Sequence, residues 1–157
     1  MRDDVIERLY ETHYDSLLRL AFLIVGRDAA EDLVQDAFVK ALDKWRRDAP
    51  AEAFRSWAQT TMVRMAISKW RRSSREQVAF ERHGADDDVR PAEAFPEVSV
   101  ALGALTPRQR TATVLRYYED LTEAQIAERM GVREGTVKAL LSQARDRLRL
   151  EPALAAS

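Results

Sequence analysis

Residues 121–149, LTEAQIAERMGVREGTVKALLSQARDRLR, hold the tightest constraint in the chain: two amphipathic runs with almost nothing between them. Thr122-x-x-Gln125 is a capping-box signal, so a first helix starts there. Its apolar positions are Ile126 and Met130, and Ala127 is small where a second helix would cross. Gly131 supplies a residue tolerant of positive φ, which so short a turn needs. Val132, Val137 and Leu140 carry the apolar side beyond the turn. Two helices meeting this steeply form a helix-turn-helix. The second helix would point Arg133, Glu134, Thr136, Lys138, Ala139, Ser142 and Gln143 outward. Such a helix fits the major groove of DNA. An ordinary helical hairpin in a bundle is the competing reading. The alanine and glycine in register with five apolar positions favour DNA binding.

The rest of the chain reads as helix wherever it is periodic. Residues 2–25 place Ile6, Leu9, Leu17, Leu20, Ala21 and Ile24 on one side, and Gly26 is a C-terminal stop. Asp28 and Glu31 make an Asp-x-x-Glu start for a second helix, with Leu33, Ala37, Phe38, Ala41, Leu42 and Trp45 inward. Pro50 breaks it. A third helix is expected from about residue 53 to residue 72, with Phe54, Trp57, Ala58, Thr61, Met62, Met65 and Ala66 inward. Residues 73–97 lose the period and contain Gly84, Asp86, Asp87, Asp88, Pro91 and Pro96, the composition of a flexible acidic linker. A second unit starts near Val98, and Thr106-Pro107-Arg108-Gln109 combines a cap, a proline at the first helical position and a capping-box glutamine. No strand pattern occurs. The expectation is an all-α protein of two small helical domains, 1–75 and 98–151, joined by a flexible acidic linker at 76–97, with a frayed tail at 151–157.

Composition narrows the function. The chain has 157 residues, is 46% hydrophobic and contains no cysteine, which excludes a disulfide framework and thiolate metal sites. His13 and His83 lie far apart and match no metal spacing, so neither a metal nor a cofactor is expected. No run of ~18 apolar residues exists, so no membrane segment is expected and a cytoplasmic location follows. There is no nucleophile elbow, phosphate loop or acid–base pair, which argues against an enzyme. The net charge of −1 hides a local asymmetry. Arg55, Arg64, Lys69, Arg71, Arg72 and Arg75 follow one another with no acidic residue between them, and Trp57 and Trp70 are interleaved. Cations pair with phosphates, and exposed rings stack on unpaired bases. Trp57 reads equally as core; Trp70, among arginines, is the more exposed ring. The second helix has the opposite sign, with Glu31, Asp32, Asp36 and Asp43, and suits a protein partner.

These stretches together resemble an extracytoplasmic-function sigma factor of bacterial RNA polymerase, of the sigma-70 family. DAAEDLVQDAFVKAL (28–42) is similar to region 2.2, FRSWAQTTMVRMAISKWRR (54–72) to regions 2.3 and 2.4, and residues 105–149 to region 4. The resemblance implies a non-enzymatic promoter-specificity subunit. Its first domain would bind core polymerase at the β′ clamp helices through Asp32, Leu33, Val34 and Gln35. The same domain would melt the −10 element and capture an unstacked base with Phe54, Arg55, Trp57, Arg64, Lys69, Trp70, Arg71 and Arg72, beside the loop at 46–53. The second domain would rest on the β flap and read the −35 element of promoter DNA with Arg133, Glu134, Thr136, Lys138, Ser142, Gln143 and Arg145. Many such proteins are held by an anti-sigma factor, and the resemblance leaves that partner open here. Lys138-Ala139-Leu140, Gln143 and Val63-Arg64-Met65 depart from the pattern, so no promoter consensus carries over. A free-standing helix-turn-helix regulator and a sigma-like decoy are the alternatives.

Overall fold

The first corner of the chain is a single residue. In the computed structural model, which describes residues 2–44, 51–80 and 101–149, helix α1 (Arg2–Val25) ends at Gly26, whose φ of 87° is left-handed. The Gly26 N–H donates to the Phe22 carbonyl at 3.0 Å, and α2 (Arg27–Lys44) begins at the next residue. Any side chain at that φ would be strained, so glycine here is a backbone requirement. Because α2 starts at Arg27, Asp28 lies inside the first turn, where its charge meets the positive end of the helix dipole. It does not stand at the cap position that the Asp-x-x-Glu pattern promised.

Helix α3 (Ala51–Phe80) crosses both. It passes the expected end near residue 72 because nothing from Ser73 to Phe80 breaks a helix; the next glycine is Gly84. Leu17, Leu20 and Ile24 of α1, Val34, Ala37, Phe38 and Ala41 of α2, and Phe54, Ala58, Met62 and Ala66 of α3 are buried together. The Phe38 and Phe54 rings meet edge-on with centroids 5.0 Å apart. Each large apolar side chain so buried contributes ~1.5–3 kcal/mol. A second stripe of α3, Gln59, Val63 and Ile67, is also buried. It lies about 100° round the helix from the first, on a face that a free-standing three-helix bundle would leave wet.

The second unit covers part of α3. After a helical turn at 101–103, α4 (Pro107–Tyr117) starts with the full Thr106/Gln109 capping box and Pro107 in its first turn. Asp120, at φ 56°, turns the chain, and Thr122 and Gln125 cap α5 (Glu123–Met130) in the same reciprocal way. Gly131 stops α5 at φ 72°, and α6 (Glu134–Arg149) follows. Ile126, Ala127, Met130 and Val137 are buried as expected. Val132 and Leu140 are only half-buried, and Leu141 and Ala144 take the core positions. With α6 starting at Glu134, residues 137, 141 and 144 form its inward stripe and Leu140 falls on the flank.

Helices α4 and α5 pack on α3, and α4 packs on α1, so the buried apolar side chains of both units form one cluster. Arg110 of α4 ties them further. It is 4% exposed, and its Nε donates to the Leu102 carbonyl (3.0 Å), its Nη2 to that of Leu105 (3.0 Å) and its Nη1 to that of Ile24 (3.1 Å). Burial lowers its pKa, yet a guanidinium stays charged in proteins. The last turn of α1 has no basic residue of its own, and Arg110 supplies the cation its carbonyl end favours. Among the described residues every regular element is an α-helix. Trp45, residues 46–50, the acidic segment 81–100 with His83, and the tail from residue 150 lie outside them.

Arg110→Met keeps the volume but leaves three buried carbonyls without their donor. We expect a stability loss of ~2–4 kcal/mol, read as a lower urea midpoint. Arg110→Lys should recover only part of it, since an ammonium lacks the planar fork.

Candidate nucleic-acid interface

Backbone hydrogen bonds close the turn before α6. Gly131 and Val132 N–H donate to the Ala127 carbonyl at 2.9 and 3.0 Å, and Thr136 and Val137 N–H donate to that of Arg133 at 3.0 and 3.2 Å. With Val137, Leu141 and Ala144 facing inward, Arg133, Glu134, Thr136, Lys138, Ala139, Ser142, Gln143 and Arg145 are all exposed. The sequence-predicted outer face of α6 is therefore assembled. Gln143 is partly engaged at its edge, where Oε1 accepts from Gln109 Nε2 at 3.3 Å.

The residues expected on the basic helix are divided. Lys69, Arg71 and Arg72 are exposed on α3. Phe54 is fully buried at 0% exposure, a core ring against Phe38 that cannot meet a base. Trp57 is half-buried; Trp70, expected to be the freer ring, packs against the core. The remaining residues face the second unit. Arg55 donates Nε (3.1 Å) and Nη2 (2.6 Å) to the Ser16 hydroxyl, and Nη1 to Glu119 Oε1 at 2.8 Å. Gln59 Nε2 donates to the same Glu119 oxygen at 2.8 Å. Arg129 Nε donates to Gln59 Oε1 at 2.8 Å, and its Nη2 reaches the Ser56 hydroxyl at 3.4 Å. Arg64 Nη2 donates to the Glu128 carbonyl at 2.7 Å, near the C-terminus of α5 and beside Gly131.

Sequence reasoning missed Gln59, Glu119 and Arg129. Each is polar and lies off the apolar stripes read from the sequence, and nothing local to residue 119 signals that it meets residue 55. The acid-free run from Arg55 to Arg75 was the one available hint that a carboxylate must come from elsewhere.

On α2 the Asp32–Gln35 motif splits by helix geometry. Asp32 and Gln35 are exposed; Leu33 and Val34 are 6% and 1% exposed and belong to the core. The pair that was expected to touch a partner therefore holds the helix in place. The outer face continues through Asp36 to Val39, an exposed hydrophobe at 67%. Among the described residues no group of His, Asp and Glu is placed to hold a metal ion, and no helix is long and apolar enough to cross a membrane.

Two family models match the chain in order: sigma-70 region 2 over residues 9–76, and sigma-70 region 4 over residues 97–148. The chain is 30% identical over 149 residues to the RNA polymerase sigma-E factor of Streptomyces avermitilis, covering 92% of this chain and 83% of that one. It is 32% identical over 146 residues to RNA polymerase sigma factor SigV of Bacillus subtilis, covering 88% and 86%. With ECF RNA polymerase sigma factor SigL of Mycobacterium tuberculosis the identity is 31% over 159 aligned positions, covering 93% and 88%. Among solved structures, the sigma factor RpoE of Bartonella quintana, crystallised with the anti-sigma factor NepR, superposes with a TM-score of 0.67 at 25% identity. That likeness covers 95% of this chain and 96% of the other.

The His13 ring lies 5.9 Å from Phe54, and burial first, then the Arg55 guanidinium, holds its pKa below the ordinary 6.5. The unfolded chain therefore binds the extra proton more readily. Stability from this group is present above 6.5 and is lost as the pH falls through the lowered folded pKa. His13→Gln should flatten that part of the melting-temperature profile on the acid side, measured by thermal melts across the histidine range.

Proposed function

The chain belongs to the sigma-70 family of RNA polymerase sigma factors, with extracytoplasmic-function relatives, and from that membership we propose how its surfaces direct transcription initiation. The observation that carries the residue-level reading is the outer face of α6, assembled beyond a helix-turn-helix turn, where Arg133, Glu134, Thr136, Lys138, Ser142, Gln143 and Arg145 are exposed and, among the described residues, only Gln109 bonds at its edge. Arg133, Thr136, Lys138, Ser142 and Arg145 read the −35 duplex from this face, with Glu134 and Gln143 at its border. Bidentate base contacts of this kind are worth ~1–3 kcal/mol each.

The first unit, residues 1–75, handles the −10 element. Lys69, Arg71 and Arg72 attract the phosphate backbone, and Arg55, Arg64 and Trp57 join them on the same helix. Phe54 contributes from beneath by fixing α3 on α2. Melting costs a few kcal/mol per unstacked step, more than this helix supplies alone, so polymerase contributes the remainder. Asp32 and Gln35 contact the β′ clamp helices, and Val39, one turn further, gives that contact an apolar centre. The second unit, 98–151, rests on the β flap. RpoE of Bartonella quintana is seen with an anti-sigma factor, and a partner of that class is part of the reading here. RNA synthesis itself belongs to polymerase. The protein acts as a specificity subunit, without catalysis of its own, in the cytoplasm where the chromosome lies.

In vitro transcription with core polymerase and a pool of genomic fragments should yield discrete starts that depend on this protein; their absence would sink the reading. Asp32→Ala with Gln35→Ala should weaken core binding without moving the unfolding midpoint, since both side chains are exposed. Lys138→Ala and Arg145→Ala should each lower occupancy of a promoter duplex and reduce the salt slope by about one. Unchanged footprints would place the recognition face elsewhere.

A further inference from the structure

We propose that Gln109, in the first turn of α4, decides which way round the Gln143 amide faces DNA, and so which bases Gln143 accepts. The inference rests on the assignment of α6 to the −35 duplex.

The hydrogen bonds admit one assignment of atoms. The Thr106 N–H can only donate, so the Gln109 atom 3.1 Å from it is the carbonyl Oε1. The Gln109 N–H in turn donates to Thr106 Oγ1 at 3.2 Å, which closes the capping box. With Oε1 held by the cap, the atom that Gln109 directs at α6 is Nε2, a donor. The Gln143 atom it meets at 3.3 Å is therefore Oε1. Gln143 is left presenting Nε2, and among the described residues no further side-chain bond holds that group. Gln125 closes the same kind of box on α5 and stays exposed. Gln109 is half-buried, because α4 packs on α6 and the small, buried Ala144 lets the helices approach one residue beyond Gln143.

A glutamine with a free amide pairs with adenine through both of its atoms, accepting from N6 and donating to N7. Gln143 has spent its acceptor on Gln109 and has lost that option. Its –NH2 suits bases that show acceptors in the major groove, N7 and O6 of guanine or O4 of thymine. Adenine sets its own N6 donor beside N7, and cytosine shows only the N4 donor. Gln143 thus reads a keto base, G or T, on the strand it faces. Gln109 is a positioning residue: it acts through Gln143 and itself touches no base.

Gln109→Glu tests this without removing the cap. Glutamate is the other residue that closes a capping box, and one of its oxygens still accepts from Thr106. Its second oxygen is an acceptor, so the Gln143 amide has to turn over, donating Nε2 inward and presenting Oε1. The preference then passes to bases with an amino donor, A or C. Full-length protein assembled with core polymerase is given a duplex library randomised across the −35 element, and the bound fragments are sequenced. We expect one position at which G or T is favoured by about fivefold, the lower end of a good base contact. At that position Gln109→Glu should favour A or C by a similar factor. The added charge weakens every sequence alike, so ratios are compared within one protein. In a Gln143→Ala background, Gln109→Glu should no longer alter the preference.

An unchanged preference in Gln109→Glu overturns the proposal, as does a change that persists with Gln143→Ala. A uniform fall in affinity with no change of preference assigns the Gln143 amide to a phosphate, and overturns it too. Lys138→Ala and Arg145→Ala distinguish these failures from a misplaced interface. If they weaken −35 binding while Gln109→Glu leaves the preference alone, α6 keeps its assignment and only the role of Gln109 falls. If none of the three alters binding or preference, the assignment of α6 falls and the proposal falls with it.

Discussion

One buried guanidinium decides how the two units meet. Arg110 cannot be hydrated where it lies, so its donors must find oxygens within the fold. The carbonyls of Leu102 and Leu105 belong to the approach to α4, and that of Ile24 belongs to the end of α1. A planar fork matched to three carbonyls fixes direction as well as distance. The second unit is thereby set at one angle against the first, and everything downstream of α4 inherits it. That angle lays α5 along α3 and brings Glu119 to Arg55. The outer face of α6 stays exposed in this arrangement.

Local features of this fold were legible where one helix decides its own ends. Thr106, Thr122 and their glutamines cap as the pattern requires, and Gly26 and Gly131 sit at positive φ where a turn demands it. Features that depend on two units at once were not. Gln59, Val63 and Ile67 were not among the inward positions read for α3, where a single apolar stripe was followed. They are buried because α3 is packed from two directions. The extension of α3 to Phe80 failed for a different reason: polar composition was taken for a linker, although no residue there opposes a helix.

The candidate sites show the same division. All of the outward residues named on α6 are outward, because a single helix with a well-marked inner stripe leaves no choice for the rest. The four-residue motif on α2 could not behave as a unit, since adjacent helical positions point about 100° apart. Leu33 and Val34 turn to the core while Asp32 and Gln35 face solvent. Phe54 was grouped with the arginines by proximity in sequence, but its ring completes the contact with Phe38. Position along the chain grouped residues by helix; only the helical period separates the faces on which they lie.

The join between the units has the character of a contact made to be exchanged. Beside the shared apolar cluster it uses an ion pair, side-chain amides and hydroxyls, and single bonds to helix carbonyls. Interfaces between domains of one chain are commonly polar in this way, and relative motion is their default. Each of those polar groups can be hydrated when the units part, so opening need not leave a charge buried and unpaired. This bears on the net charge of −1. Arg55 is paired with Glu119, while Lys69, Arg71 and Arg72 stay exposed, so the basic charge of α3 is offset within the fold only in part.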